Sequence, residues 1–381
     1  MTPKTLTDRE LNRALLARQG LLERLDLPLP EAVEAIGAVQ AQYGPALPVA
    51  LWTRVRGVDA GSVRTALERR TLVVGTLLRR TLHLVTPAQH AAYAAVVVAA
   101  GDDTWRRTRG ESDPAADRLR ERLTEFAGSV ARSPEEVADW IEKWVAAHPE
   151  AIDAAELEFQ RTYKWRPFRS TVAVTRSPVG GVWDEGVPDG VLAAPAPEGG
   201  PPSAEDALHE VVLRHLRAFG PAGAADVAQW IGAKVTPVKA LLKSLEDRLA
   251  VFGDEGGQLL YDLPEAPRPP ADAPAPVRLL PWFDSTLLAY APKRRTRILP
   301  QEYRDAVYAK ANLQLRPTFL VDGTVAGVWA LDRKRREAVL TLTPLTELSR
   351  TVTAELVAEA EHLLPVCVPD GPARVVVADR S

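Results

Sequence analysis

The chain has 381 residues, of which 46% are hydrophobic and 25% charged, with a formal net charge of −3, one cysteine and six histidines. That length predicts two to four compact units, and the composition is that of an ordinary soluble protein. The lone Cys367 excludes an internal disulfide and a cysteine-based zinc site, no apolar run reaches the roughly 18 residues of a membrane-spanning helix, and Met1-Thr2-Pro3-Lys4 opens without a secretion signal, so a reducing cytoplasm is the expected compartment.

The N-terminal region, residues 1–118, predicts helices at 7–18, 31–41 and 62–69, strands near 72–75 and 81–85, and a core helix over the apolar but short 88–100. In the second helix Pro30 suits the first turn, where a missing donor costs nothing. Val33, Ile36 and Val39 fall at helical spacing and define a buried face. Gln40 follows Ile36 by four residues and lies along the same stripe. Gln40 and Gln42, two apart, point to nearly opposite sides of an ideal helix. They share one pocket only if the helix unwinds, and Gly44-Pro45 favours that, because a residue before proline leaves the helical region. Two amides on a bent, mostly buried helix end can hold a water or a sugar. On the strand at 81–85, His83 is either a buried, hydrogen-bonded structural residue or a pocket wall against sugar or phosphate. Arg79 and Arg80 before it either hold phosphates or are solvated strand-edge charges.

Residues 119–192 repeat the plan: a helix at 119–127, a capped start at Ser133-Pro134-Glu135-Glu136, a helix through Trp140 and Trp144, another at 153–162, and strands near 170–175 and 179–184. The Pro/Gly-rich stretches 193–202 and 264–276, the latter with six prolines in thirteen residues, read as linkers, the second extended and semi-rigid. Between them, 203–263 reads as three helices (one capped by Ser203, one from Asp226 to Ile231 ended by Gly232, one starting at Thr236-Pro237) and a hairpin around Gly253–Gly257, which makes a winged helix. The third helix carries Lys234, Lys239 and Lys243 but no outward Arg, Asn or Gln suited to reading bases, so a scaffold use is expected. Residues 277–381 turn strand-rich (277–280, 317–321, 324–330, 337–343), with Asp322-Gly323 as a hairpin signal, then a helix at 346–362 and a strand at 374–378: a small sheet or barrel. The fold class is therefore α+β, with tandem winged-helix (helix-turn-helix) units at 1–118, 119–192 and 203–263 and a C-terminal β-rich domain at 277–381.

Positive charge is uneven. Eleven Lys or Arg face four acids between Lys293 and Arg336, densest at Lys293, Arg294, Arg295 and Arg297 and at Arg333, Lys334, Arg335 and Arg336. Residues 161–176 hold five basic residues and no acid, interleaved with Tyr163, Trp165 and Phe168, and Trp105–Arg109 is another basic run. Such asymmetry suits a one-sided phosphate-binding surface; solvated loops and helix faces are the plainer reading.

Several segments, in order and spanning nearly the whole chain, resemble one family. They are Ala14-Leu15-Leu16-Ala17-Arg18-Gln19-Gly20-Leu21-Leu22, the Gln40-Ala41-Gln42 element, Thr81-Leu82-His83-Leu84-Val85, Leu279-Leu280-Pro281-Trp282-Phe283-Asp284, and Arg316-Pro317-Thr318-Phe319-Leu320-Val321-Asp322-Gly323. The family is that of the AlkZ/YcaQ-like winged-helix DNA glycosylases. The resemblance implies that Gln40 and Gln42 are the catalytic pair. In the YcaQ-like, crosslink-unhooking branch the second position is Asp, so Gln42 aligns this chain with the AlkZ-like branch, tied to self-resistance against DNA-alkylating natural products. The implied activity is that of a monofunctional glycosylase releasing N7-alkylated purines, bulky adducts and crosslinks included, from duplex DNA. A cationic N7-alkyl base is already a good leaving group, so two neutral amides that place a water against C1′ suffice. Asp284 is either a helix cap or a catalytic residue.

Other chemistries have little footing. The histidines at 83, 90, 148, 209, 215 and 362 form no metal-ligand spacing, and neither a Walker loop nor a nucleophile elbow is present; no metal and no cofactor is expected. The expected partner is double-stranded DNA with alkylated purines, met by a monomer in a nucleoid-associated location without membrane contact. The competing reading is a non-enzymatic winged-helix DNA binder, a transcriptional regulator or a lesion-binding protein.

Overall fold

The computed structural model describes residues 3–101, 114–178, 189–309, 314–333 and 337–380. The chain packs as two compact units, one formed by Met1–Val63 with His209–Ser381, the other by Arg64–Leu208. It mixes helices with antiparallel and parallel strands and is α+β.

In the first unit, the Asp8–Arg18 helix begins in a reciprocal cap: the Thr7 hydroxyl accepts from the Glu10 amide at 3.1 Å, and the Glu10 carboxylate accepts from the Thr7 amide at 2.8 Å. Leu11, Ala14, Leu15 and Leu16 form its buried face. Its polar side is also used. Arg9 and Arg13 donate to the carbonyls of Ala271 and Ala273, both at 2.7 Å, and Arg18 donates to that of Pro267 at 3.3 Å. The proline-rich stretch 264–276, expected as a spacer, is thus fastened along this helix. The two compact units accordingly cut across the four-part division drawn from the linkers.

The segment 203–263 has the expected succession of helices Ala204–Phe219, Ala224–Ile231 and Val235–Ser244 and the hairpin Ala250–Asp254/Leu259–Asp262. Gly232, left-handed at φ 82°, closes the middle helix. Strand Lys4–Leu6, which the sequence did not announce, pairs in parallel with Ala250–Asp254. Arg18 reaches into the same region, donating to both carboxylate oxygens of the buried Asp262 at 2.7 and 2.8 Å.

The C-terminal region is an open five-stranded sheet. Its order is Ala373–Val377, Ala338–Pro344, Thr324–Arg333, Thr318–Val321, Arg278–Leu280, with only the first pair parallel. The Arg350–Cys367 helix packs against it through Leu356, Ala360 and Leu363, which meet Phe319, Trp329, Leu340 and Leu342. Asp322 and Gly323 turn the central hairpin at φ 46° and 83°, the pair of left-handed residues a two-residue turn demands. A Cβ on Gly323 would lie 2.5 Å from the Asn12 side chain, so only glycine fits there.

In the second unit four strands pair antiparallel in the order Leu82–Val85, Val73–Thr76, Val174–Pro178, Asp189–Ala193. The strand expected at 179–184 lies outside the described residues. The helices Pro87–Ala99, Pro114–Ala127, Pro134–Ala147 and Ala154–Thr162 follow the expected positions. Ser133 and Glu136 form the anticipated capping box. Leu119, Leu123, Ile141, Val145, Trp165 and Phe168 make this unit's core.

The largest correction falls on the helix expected at 31–41. It runs from Leu29 to Ile36 and stops at Gly37, whose φ of 81° and ψ of −172° no other residue adopts without strain. A Cβ there would also press on Ala218 at 3.1 Å and on the Phe219 ring at 3.3 Å. Val39 and Gln40 follow as extended strand. The chain does unwind before the glutamines, but at Gly37 rather than at Gly44-Pro45.

Candidate active site

Gln40 is 7% exposed and lines a small cavity together with Gln19, Ile36, Arg54, Phe283 and Asp284. The cavity measures about 10 Å³, the scale of one water, which needs roughly 10–15 Å³. Gln42 stands exposed two residues on. The extended backbone ends at Gln40, and Gln42 lies in the irregular chain that follows.

Three elements hold this segment. Gln19, at the C-terminal end of the first helix, donates from Nε2 to the Ile36 carbonyl at 2.8 Å and to the Ala218 carbonyl at 2.9 Å. It thereby satisfies two carbonyls that helix ends leave orphaned. Ser285 donates from Oγ to the Ala38 carbonyl at 3.1 Å. Arg54 donates from Nη2 to both oxygens of Asp284 at 2.8 Å, and from Nε to Oε1 of Gln19 at 3.4 Å. Asp284 also takes the Thr286 amide at 2.9 Å and hydroxyl at 2.6 Å, so it caps the short Ser285–Leu287 turn and pairs with Arg54 at once. Of the two readings of Asp284 the cap is realised, with a buried ion pair added. The neighbouring Phe283 sits at φ 57°, a strained conformation for a bulky side chain. Beside the cavity an edge-on aromatic series runs from Tyr43 to Trp282 at 5.1 Å and from Trp282 to Trp329 at 5.0 Å.

His83 is fully buried: its Nδ1 meets the Thr81 carbonyl at 2.9 Å and its Nε2 lies 3.4 Å from Arg79. Burial, and then the Arg79 charge, push its pKa down to about 3. It is the hydrogen-bonded, neutral histidine of the structural reading. Arg79 and Arg80, half-buried and exposed, occupy a tight turn with left-handed φ of 53° and 59°.

The basic runs need correction. Of Lys293, Arg294, Arg295 and Arg297, only Lys293 stands exposed. Arg294 donates from Nε to both oxygens of Asp226 at 2.8 and 2.7 Å. Arg295 donates to the Tyr290 carbonyl at 2.9 Å and the Tyr308 hydroxyl at 2.8 Å. Arg297 is buried, its guanidinium 4.2 Å from the centre of the Tyr290 ring. The three arginines of the cluster are engaged internally, and the acidic partner of Arg294, Asp226, stands 68 residues away in sequence. Arg333 is exposed and donates to the Cys367 carbonyl at 2.7 Å, while Lys334, Arg335 and Arg336 lie outside the described residues, as does Trp105–Arg109. In 161–176, Arg161 is held by Glu142.

Gln19, Arg54 and Ser285 were not singled out from the sequence. Gln19 stands within the quoted 14–22 segment and Ser285 directly follows Asp284, but nothing local marks Arg54.

One buried and one exposed amide therefore stand at this helix-to-strand break, and the comparisons define the class of the protein as DNA glycosylase. The family model described as DNA glycosylase AlkZ-like matches residues 33–366, and the chain belongs to that family. It is 24% identical over 366 residues to an interstrand DNA cross-link repair glycosylase of Streptomyces sahachiroi, covering 91% of this chain and 93% of the relative. The solved structure of Streptomyces sahachiroi DNA glycosylase AlkZ has the same fold, with a TM-score of 0.75 at 22% identity, over 98% of this chain and 100% of that one. Among the described residues no helix is long and apolar enough to cross a membrane.

Proposed function

We propose that this DNA glycosylase hydrolyses the N-glycosidic bond of N7-alkylated purines in duplex DNA, bulky adducts included, and so serves repair or self-resistance. The name of the Streptomyces sahachiroi relative, an interstrand cross-link repair glycosylase, extends the proposal to crosslinked DNA. The observation that carries the reading is the seating of Gln40, neutral and buried at a one-water cavity, with Gln42 exposed beside it.

The chemistry needs little more. Alkylation at N7, an atom of the major groove, leaves the base cationic. The C1′–N9 bond breaks with its electron pair going to the base, which departs neutral. The water oxygen bonds C1′ and gives up a proton. Gln42 accepts a hydrogen bond from that water through its carbonyl, and Gln40 orients the water or the sugar through its amide. Neither side chain titrates, so the chemical step is expected to be level across neutral pH. The helices and hairpin of 203–263 serve as a winged-helix scaffold in this reading, with related units at 1–118 and 119–192. Lys293, Arg79, Arg80, Arg333, Lys334, Arg335 and Arg336 are candidates for phosphate contact, and the lesion stays in the duplex above an open cleft.

The test is incubation with N7-methylguanine duplex and with plain duplex, followed by alkali to cut abasic sites. Strand breaks confined to the alkylated duplex are expected. Protection of the lesion without breaks would replace the enzyme reading with that of a lesion binder.

A further inference from the structure

Four buried side chains form a continuous series behind Gln40, and the direction of each link is set by the one before it. Asp284, 3% exposed, accepts two hydrogen bonds from one nitrogen of Arg54, 2% exposed. Arg54 turns its Nε–H toward Oε1 of Gln19, 1% exposed. Because an amide has one accepting and two donating sides, engaging Oε1 leaves Nε2 to face the Ile36 and Ala218 carbonyls, as it does at 2.8 and 2.9 Å. Ile36 is the last helical residue, and Gly37 is the break that turns the chain into the Val39–Gln40 strand. Thr286 holds the far end by donating to Asp284 through both its amide and its hydroxyl.

An Arg–Asp pair taken out of water gains little net stability over an apolar filling. Its presence beside a neutral catalytic pair calls for another use. We infer that Asp284, Arg54 and Gln19 act as a positioning relay that fixes the helix-to-strand break at Ile36–Gly37 and so aims the Gln40 amide into the one-water cavity. Asp284 holds Arg54 against rotation, Arg54 holds the Gln19 amide against flipping, and Gln19 anchors the Ile36 carbonyl. None of the three touches the reacting atoms, and they are positioning residues. The inference rests on the assignment of Gln40 made above.

The test uses the full-length protein and a duplex with a single N7-methylguanine. Arg54→Lys keeps a cation for Asp284 but removes the Nε–H that orients Gln19. Gln19→Met keeps the volume and removes both donors. For each, the single-turnover rate of base release and the affinity for the same duplex are measured separately, with melting temperature as the check on folding. The relay predicts a rate at least about tenfold lower, since small misplacements of a reacting group cost on this scale or more, with affinity within about twofold of wild type. A folded variant with an unchanged rate, or with rate and affinity falling together, overturns it. Should Arg54→Lys and Gln19→Met fail to fold, Thr286→Val keeps the side-chain shape and removes only the hydroxyl that holds Asp284 at the far end of the relay. It must then lower the rate several-fold at constant affinity, and an unchanged rate rejects the relay. Gln40→Ala and Gln42→Ala run alongside. If they keep the wild-type rate, the site itself is misassigned; if they lose it while the relay variants keep theirs, only the relay fails.

Discussion

The Gly37–Gln42 segment and the Pro292–Arg297 turn each lean on a buried Arg–Asp pair, and they use it differently. At Gly37–Gln42 the residues proposed to act are uncharged, and the ions stand behind them: Arg54 and Asp284 cancel each other and leave a neutral cavity for one water. At Pro292–Arg297 the arginines of the motif are themselves engaged, and only Lys293 stands exposed. Arg294 closes on Asp226, which also accepts the Gly223 and Ala291 amides, both at 2.9 Å. Arg297 lies against Tyr290, whose hydroxyl pKa burial raises to about 12. A run of arginines is therefore no measure of surface potential, and a pair of glutamines is no measure of how much buried charge secures them.

Breaking the second pair gives the largest expected effect on stability. Asp226→Ala strands the partly buried Arg294 and two backbone donors, and is expected to lower unfolding free energy by about 3–5 kcal/mol, the scale for removing one partner of a buried pair. Lys293→Ala, one residue from Arg294 but exposed, is expected to stay within about 0.5 kcal/mol. Urea titration of both variants checks the contrast, and similar losses would erase it.

A smaller loss is expected at the break. Gly37→Ala places a side chain at φ 81° against Ala218 and Phe219. It should destabilise by about 1–3 kcal/mol, the range for forced backbone strain. Because it moves the Gln40 strand, base release should fall by more than the melting shift explains. A rate that simply follows the folded fraction would detach the break from catalysis.

The last effect is visible only on acidification. His83 has its folded pKa pushed down to about 3 by burial and by Arg79, against an ordinary 6.5. Between those values the unfolded chain binds a proton that the folded chain refuses, so His83's contribution is present above pH 6.5 and is lost as pH falls toward 3. His90, lowered to about 4 by burial and Arg70, acts in the same sense. His83→Asn should flatten the fall in stability between pH 6.5 and 4.5, and an unchanged slope in denaturant titrations would refute this.

What the sequence disclosed followed the range of the forces involved. Capping boxes, the Asp322-Gly323 turn and the hairpin near Gly253–Gly257 are set by residues within a few positions of one another, and they were legible. The helix break was misplaced because the need for Gly37 comes from Ala218 and Phe219, far along the chain. Arg54 stayed silent for the same reason: its partner Asp284 is 230 residues away. The 3₁₀ turns between Ser285 and Tyr303 follow no strict apolar period and escaped notice. Gln40 and Gln42 stand out in the sequence as two amides at the close of an apolar helix expected to unwind, and it is the family resemblance that implies their catalytic role.

The account turns on those two amides. The most direct measurement is single-turnover release of N7-methylguanine from duplex DNA by Gln40→Ala and Gln42→Ala, with folding and duplex affinity verified in parallel. A fall of about 100-fold or more in at least one variant, with affinity retained, is the expected result. Wild-type rates in both folded variants would contradict it.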